Sequence, residues 1–114
     1  MIAPVRSSVR REPRFEVGQV VRHRRYGYRG VIVALDRRCQ ASESWYQSNQ
    51  TQPARGQAWY HVLVHETEHS TYAAEENLAE LEPVEEVWHP WLTLFFEGFA
   101  EGRYVRNAEP WPVS

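Results

Sequence analysis

Trp59-Tyr60-His61-Val62-Leu63-Val64 is rich in aromatic and β-branched side chains and contains no turn former, so it reads as a strong β-strand. The polar stretch from Glu66 to His69 follows as a turn, and Thr71-Tyr72-Ala73 pairs back as the second arm of a hairpin. Upstream, Val31-Ile32-Val33-Ala34-Leu35 is apolar on both faces, as expected of a central strand in a small β-barrel. Before it, Val17, Gln19, Val21 and His23 share one strand face, with Val20 and Arg22 on the other. The turn between these two strands is Arg25-Tyr26-Gly27-Tyr28-Arg29-Gly30, with glycines available for positive φ.

Beyond these strands the pattern is weaker. Residues 37–58 read as a long polar loop, which in a compact domain is either functional or disordered. Glu75 to Leu78 suits a single helical turn, and Ala79 to Glu82 a short closing strand. Trp88, Trp91, Leu92, Phe95, Phe96 and Phe99 recur at three- and four-residue steps, which predicts a helix with Pro90 in its first turn and Gly102 as its stop. Residues 1–14, rich in Arg, Ser and Pro, read as a flexible basic arm. The expected organisation is a basic arm (1–14), a β-barrel (15–82) and a helical extension packed on it (83–114). The fold class is mainly β, a five-stranded barrel with a C-terminal α-helix.

A chain of 114 residues, 42% hydrophobic and 13% aromatic, supports one domain with one modest core. The net charge of −2 argues against a wholly basic nucleic-acid binder, but it conceals an asymmetry. Residues 1–38 carry ten arginines against Glu12, Glu16 and Asp36, a net +7, while residues 39–114 carry three arginines against twelve glutamates, a net −9. Every basic residue is Arg, whose planar fork suits phosphates, carboxylates and aromatic faces, although codon bias in a GC-rich genome produces the same usage. Cys39 stands alone, which favours a reducing compartment. No apolar run approaches a membrane span and no secretory leader precedes the domain, so the expected location is cytoplasmic.

Phe15, Val17-Gly18-Gln19, Val21-Arg22-His23, Gly27-Tyr28, Gly30-Val31, Asp36, Trp59-Tyr60-His61-Val62, Tyr72, Glu76 and Leu78 together resemble the signature of the YccV-like family, which includes hemimethylated-DNA-binding proteins and the HspQ heat-shock protein. The resemblance covers residues 15–80 and implies an SH3-like barrel of about five strands. It marks His23, Tyr28, Gly30, Asp36, Trp59, Tyr60, His61, Tyr72 and Glu76 as signature positions. The tail is similar to a narrower branch, the C-terminal domain of an F-box-only protein, through His89-Pro90, the aromatic run, Tyr104 and Asn107, with Cys39 after Asp36 pointing the same way. No F-box is present in this sequence, so a ubiquitin-ligase role does not carry over. Arg37 stands where the family often has Pro, adding a charge at the loop entrance. For function the resemblance implies DNA binding, or an adaptor that presents clients to an ATP-dependent protease of the Lon or Clp type. Neither needs a catalytic group.

The candidate DNA-binding residues are Arg22, Arg24, Arg25, Tyr26, Arg29, Arg37 and Arg38, on the first strand, its turn and the exit of the next strand. Arg supplies phosphate contacts and Tyr supplies stacking, provided the two ends of the hairpin approach each other. The alternative is an ordinary solvated surface with Tyr28 in the core. Other constellations favour structural readings. His65-Glu66-Thr67-Glu68-His69 matches the H-E-x-x-H zinc-protease pattern, but that chemistry needs a helix and the pentapeptide sits between strands. His23 and His61 read as hydrogen-bonded strand residues, and Cys39 as a plain loop thiol without an orienting partner. Glu75-Glu76 and Glu85-Glu86 read as solvated, except that signature Glu76 is expected to hydrogen-bond the barrel backbone. Trp45, Tyr46 and Trp59 raise the option of an aromatic cage, with packing as the simpler account. No cofactor, metal or membrane partner is expected. The leading expectation is a non-enzymatic module that binds DNA, hemimethylated by resemblance, through its basic first hairpin; the alternative is the protease adaptor.

Overall fold

The computed structural model describes residues 12–112, so residues 1–11 of the expected basic arm lie outside the described residues. Five strands, β1 (Val20–His23), β2 (Arg29–Asp36), β3 (Trp59–Val64), β4 (Ser70–Ala74) and β5 (Leu78–Glu80), form one antiparallel sheet in the order β4-β3-β2-β1-β5. The apolar run at Val31–Leu35 therefore lies in the central strand. A bulge at Val33, where the register shifts between Ile32 and Ala34, bends β2.

The sheet is not a closed barrel. Its edge strands β4 and β5 share no ladder, yet they are consecutive in sequence and joined by a single 3-10 turn, Glu75–Asn77. Such a short link between opposite edges requires the sheet to curl strongly, and β5 has only three residues with which to pair. Inside the curl, Phe15, Val21, Ile32, Tyr60, Val62, Ala73 and Leu78 form one core. Glu75 is buried there. Its Oε1 accepts from Tyr60 Oη at 2.9 Å and from the backbone N–H of Arg14 at 3.0 Å, and Tyr60 Oη in turn accepts from Phe15 N at 3.2 Å. The inward glutamate is thus Glu75, while Glu76 is exposed and trades hydrogen bonds with the Gln57 side chain. Residue 76 faces outward because the 3-10 turn rotates successive side chains by about 120°.

The other face of the sheet, lined by Val20, Val31, Val33 and Leu63, is covered by the tail. The expected long helix is absent: α2 spans only Leu92–Phe95, and the chain then enters a hairpin of β6 (Phe96–Ala100) and β7 (Arg103–Arg106). Phe96 and Phe99 are strand residues, and their spacing matches a helix only because β6 is bulged between Phe96 and Gly98. Glu101 and Gly102 both have positive φ and form the two-residue hairpin turn, so Gly102 ends a strand. Phe95, Phe96 and Tyr104 are buried against the sheet, but Trp88 is 58% and Leu94 51% exposed.

Several bonds strap the tail down. Gly18 donates to the Ile32 carbonyl and accepts from Tyr104 N at 2.8 Å, Arg106 Nε donates to the Val33 carbonyl at 2.9 Å, and Tyr104 Oη both accepts from Val87 N and donates to Val87 O. The loop 37–58 also carries order: α1 (Glu43–Ser48) is capped by Ser42 Oγ accepting from Trp45 N at 3.2 Å. It sets Trp45 and Tyr46 edge-on to Trp59, above buried Cys39. Among the described residues, no helix is long and apolar enough to cross a membrane.

Candidate nucleic-acid interface

The β1–β2 connection is built around His23. Its backbone N–H donates to the Tyr28 carbonyl at 2.8 Å, and its Nδ1 accepts from the N–H groups of Arg25 and Tyr26 at 3.2 and 3.1 Å. Gly27, at φ 79°, closes the loop by donating to the His23 carbonyl. The imidazole lies between two tyrosines, stacked on Tyr26 at 4.7 Å and tilted against Tyr28 at 5.0 Å, while Tyr28 Oη pairs with Thr71 Oγ1 at 2.7 Å. One buried ring therefore presents the turn, with Arg24, Arg25 and a 56% exposed Tyr26 at its crest.

The seven residues expected to act together divide into three groups. Arg22, Arg24, Arg25 and Tyr26 are exposed on β1 and its turn. Arg24 Nε donates to the Leu78 carbonyl at 3.2 Å, and the Arg25 guanidinium lies 5.7 Å from the Tyr26 ring centroid. Arg29, paired across from Arg22, is committed elsewhere: its Nε and Nη2 donate to the Glu86 carbonyl at 3.1 and 2.9 Å, and Nη1 lies 3.3 Å from Glu85 Oε1. It is a tail anchor. Arg37 and Arg38 follow the far end of β2, about 25 Å of extended strand away, so the hairpin does not bring its two ends together. Arg37 pairs with Glu12 at 3.3 Å.

Beside the turn lies a cleft of about 60 Å³ between the hairpin and the α1 loop, lined by His23, Tyr26, Trp45, Trp59, Tyr72 and Asn77 among others. Its rings pack edge to face, with Trp45 at 6.2 Å from Trp59 and 5.7 Å from Tyr72. Tyr46 belongs to a different contact, since Arg55 lies 4.8 Å over its ring. The three aromatics considered as a cage are therefore a packed cluster, of which Trp45 and Trp59 also wall the open recess while Tyr46 does not line it. Sequence reading missed Asn77 and the role of α1; Ser42 three residues before Trp45 was the available capping signal.

At the β3–β4 edge, Tyr72 Oη donates to Asp36 Oδ2 at 2.6 Å and accepts from Gln40 N at 3.0 Å, and His61 Nε2 lies 3.5 Å from the same carboxylate. Gly30 is enclosed, because a Cβ there would run into the Leu63 carbonyl and the Val62 side chain.

These positions are those of a known family. The model for YccV-like proteins, described as "Hemimethylated DNA-binding protein YccV like", matches residues 13–103. The chain belongs to the YccV-like family. The family's description is of DNA binding and not of a reaction. F-box only protein 21 from Mus musculus is 34% identical over 98 residues, covering 83% of this chain and 16% of that protein, and the Homo sapiens protein is 33% identical over 98 residues. The chain thus spans about a sixth of the length of the curated relatives it matches. No solved structure matches.

In this YccV-like chain the H-E-x-x-H pentapeptide forms the β3–β4 turn, and both of its histidines serve the tail. His65 Nδ1 accepts from Trp88 N at 2.9 Å, and the His69 carbonyl accepts from His89 Nε2 at 2.9 Å. Three other aspects of histidine chemistry follow from burial. Burial holds the imidazole of His23 below its ordinary value of 6.5, with Arg25 pushing further down. Burial also lowers His61 against the opposing pull of Asp36, and lowers His89, whose Nδ1 must stay unprotonated to accept from Trp91 N. The folded state then binds fewer protons than the unfolded chain below pH 6.5, so this stability is present above that pH and is lost as pH falls through it. Melting temperature should decline on acidification from pH 7.5 to 5.5, and less so in His23→Gln. A flat or rising profile over that window would contradict the assignment.

Proposed function

We propose that this chain is a non-catalytic module that binds duplex DNA, with β1 and the β1–β2 turn as its contact surface. The observation carrying this reading is the exposure of Arg22, Arg24, Arg25 and Tyr26 along β1 and its turn, none of the three arginines facing a carboxylate within 4 Å among the described residues. Exposed guanidinium groups engage phosphates, and release of condensed counterions makes the resulting affinity fall with salt. The family description supports DNA as the polymer. Arg29 leaves the contact set because its donors are satisfied by the tail.

The test is a salt series of duplex binding by fluorescence anisotropy. Replacing Arg22, Arg24 and Arg25 together by Ala should weaken binding at low salt by at least about tenfold. It should also reduce the slope of log affinity against log salt by up to about three, since each lost phosphate contact removes roughly one released ion. Arg29→Ala should lower stability while leaving that slope nearly unchanged. Wild-type protein without measurable duplex affinity at low salt would overturn the reading.

A second reading, as a protein adaptor for a protease or its client, has support from the exposed apolar side chains Trp88, Trp91 and Leu94 on the acidic half of the chain. It forecasts that partner binding survives the triple arginine substitution and is lost in Trp88→Ala with Trp91→Ala.

A further inference from the structure

An open β-sheet has two edges, and each presents backbone N–H and C=O groups that no neighbouring strand satisfies. Here the edges are β4 and β5. β5 has only three residues, and a very short edge is a poor template for pairing. β4 is different. It runs for five residues, Ser70-Thr71-Tyr72-Ala73-Ala74, in unbroken register with β3. It contains no proline, charge or bulge of the kind that blunts an edge.

The hydrogen-bond phase of the β3–β4 ladder decides which groups face outward. Glu75 N donates to the Ala58 carbonyl and Val64 N to the His69 carbonyl, so Ala58–Glu75 and Val64–His69 are bonded pairs. Bonded and non-bonded pairs alternate along an antiparallel ladder. Tyr60 lies opposite Ala73 and Val62 opposite Thr71, so the backbone groups of Thr71 and Ala73 belong to β3. Those of Ser70, Tyr72 and Ala74 point away from it. Ala74 is buried in the cluster that Trp45 and Tyr46 of α1 cover. Ser70 is exposed and Tyr72 half-buried, and no described residue bonds the outward backbone of either.

The surroundings of this open stretch offer contacts for side chains. Tyr72 begins a row of rings on the outer face: His61 lies at 4.4 Å, Trp111 at 5.4 Å from His61, and Trp91 at 6.1 Å from Trp111. His89, bonded to the His69 carbonyl, holds the 40% exposed Trp91 beside the start of β4. On the opposite face Thr71 presents a hydroxyl paired with Tyr28 Oη. Glu66 and Glu68 are exposed in the turn before β4, with no arginine within 4 Å of either among the described residues.

We infer that β4 is a peptide-docking edge, which takes an extended cationic segment of another protein as a sixth strand. Pairing with the backbone of Ser70 and Tyr72 supplies affinity. Alternate apolar side chains lie on the row from Tyr72 to Trp91, and a Lys or Arg meets Glu66 and Glu68, which supplies selectivity. A second copy of this chain fits less well. A two-fold pairing centred on Thr71 would bring Glu66 of one copy towards Glu76 of the other, a like-charge contact. The inference goes beyond duplex binding and does not depend on it.

The experiment uses the full chain and the capped peptide Arg-Thr-Val-Thr-Phe-Thr-Arg, which places a cation at the acidic turn in either strand direction. In the free chain the amides of Ser70 and Tyr72 should exchange with deuterium faster than those of Thr71 and Ala73. Equal protection would mean that the edge is already covered and would overturn the inference. On titration, NMR shifts should saturate at Ser70, Tyr72 and the Trp91 indole, and exchange at Ser70 and Tyr72 should slow. Methylating the three central peptide nitrogens should weaken binding by at least about tenfold, because the strand bonds are lost. Ser70→Pro, which removes an outward donor and no ladder bond, should do the same. Trp91→Ala and a peptide with Glu for both Arg should each weaken it by about threefold or more. The variant with Arg22, Arg24 and Arg25 replaced by Ala should bind the peptide as the wild type does. Absence of saturable binding at millimolar peptide, or binding indifferent to N-methylation, would overturn the inference whatever the fate of Ser70→Pro. Self-association of the free chain that Ser70→Pro abolishes would assign the edge to a second copy and overturn it equally.

Discussion

A chain ending at Glu86 should fail to unfold cooperatively or should self-associate. The tail beyond that point covers Val20, Val31, Val33 and Leu63, each no more than 2% exposed. A fully buried side chain of this kind is worth about 1.5–3 kcal/mol. Uncovering the group removes an amount comparable with the whole stability of a small domain, about 5–15 kcal/mol. The strand face would then present a contiguous apolar patch, a known cause of association. Thermal unfolding, dye binding and light scattering read the outcome together. A truncated protein that melts as the full chain does and remains monomeric would show that the tail is an appendage.

Gly18→Ala should cost about 3–5 kcal/mol, the largest loss expected from any single small substitution here. Gly18 has a φ of 96°, a region L side chains rarely adopt, and a Cβ would fall inside the van der Waals envelope of the Tyr104 carbonyl oxygen. The obstruction is backbone, so no rotamer change relieves it, and the Gly18 carbonyl would also lose its bond from Tyr104 N. Gly27→Ala is the matched control. Its φ of 79° carries the same conformational penalty, but nothing lies within 4 Å of its Cβ position, so the cost should stay near about 1–2 kcal/mol. In melting temperature the contrast should exceed about 10 °C. Equal losses for the two variants would mean that the closeness of Gly18 to β7 contributes little.

The strands were legible because local pattern and tertiary environment agree there. Val31–Leu35 is apolar on both faces, and both of its faces are in fact covered, one by the curl and one by the tail. The tail was misread because Phe95, Phe96 and Phe99 satisfy a helical step and a bulged strand equally well, and burial by a distant sheet decides between them. Two glutamates side by side cannot be ranked from composition; Glu75 is selected by Tyr60 and Arg14, neither a sequence neighbour. Arg29 is indistinguishable from Arg24 or Arg25 in a basic run until the Glu85–Glu86 segment returns to meet it. The site was thus half legible: the turn and its arginines could be read, while the recess beside it depends on α1 and the edge of β4.

The bonds that close the tail over the sheet also carry a kinetic consequence. Arg103 pairs with Glu16 across 87 residues, and Arg106 reaches Val33 across 73. Topology of this kind places folding in the millisecond-to-second regime, since loop closure must precede the contacts that reward it. During synthesis at about 5–20 residues per second, Val20 and Val31 leave the ribosome several seconds before β7 can cover them. The nascent sheet passes that interval with one apolar face open to water. This is the stage at which the chain is most exposed to chaperones and to aggregation, and variants that weaken the tail would lengthen it.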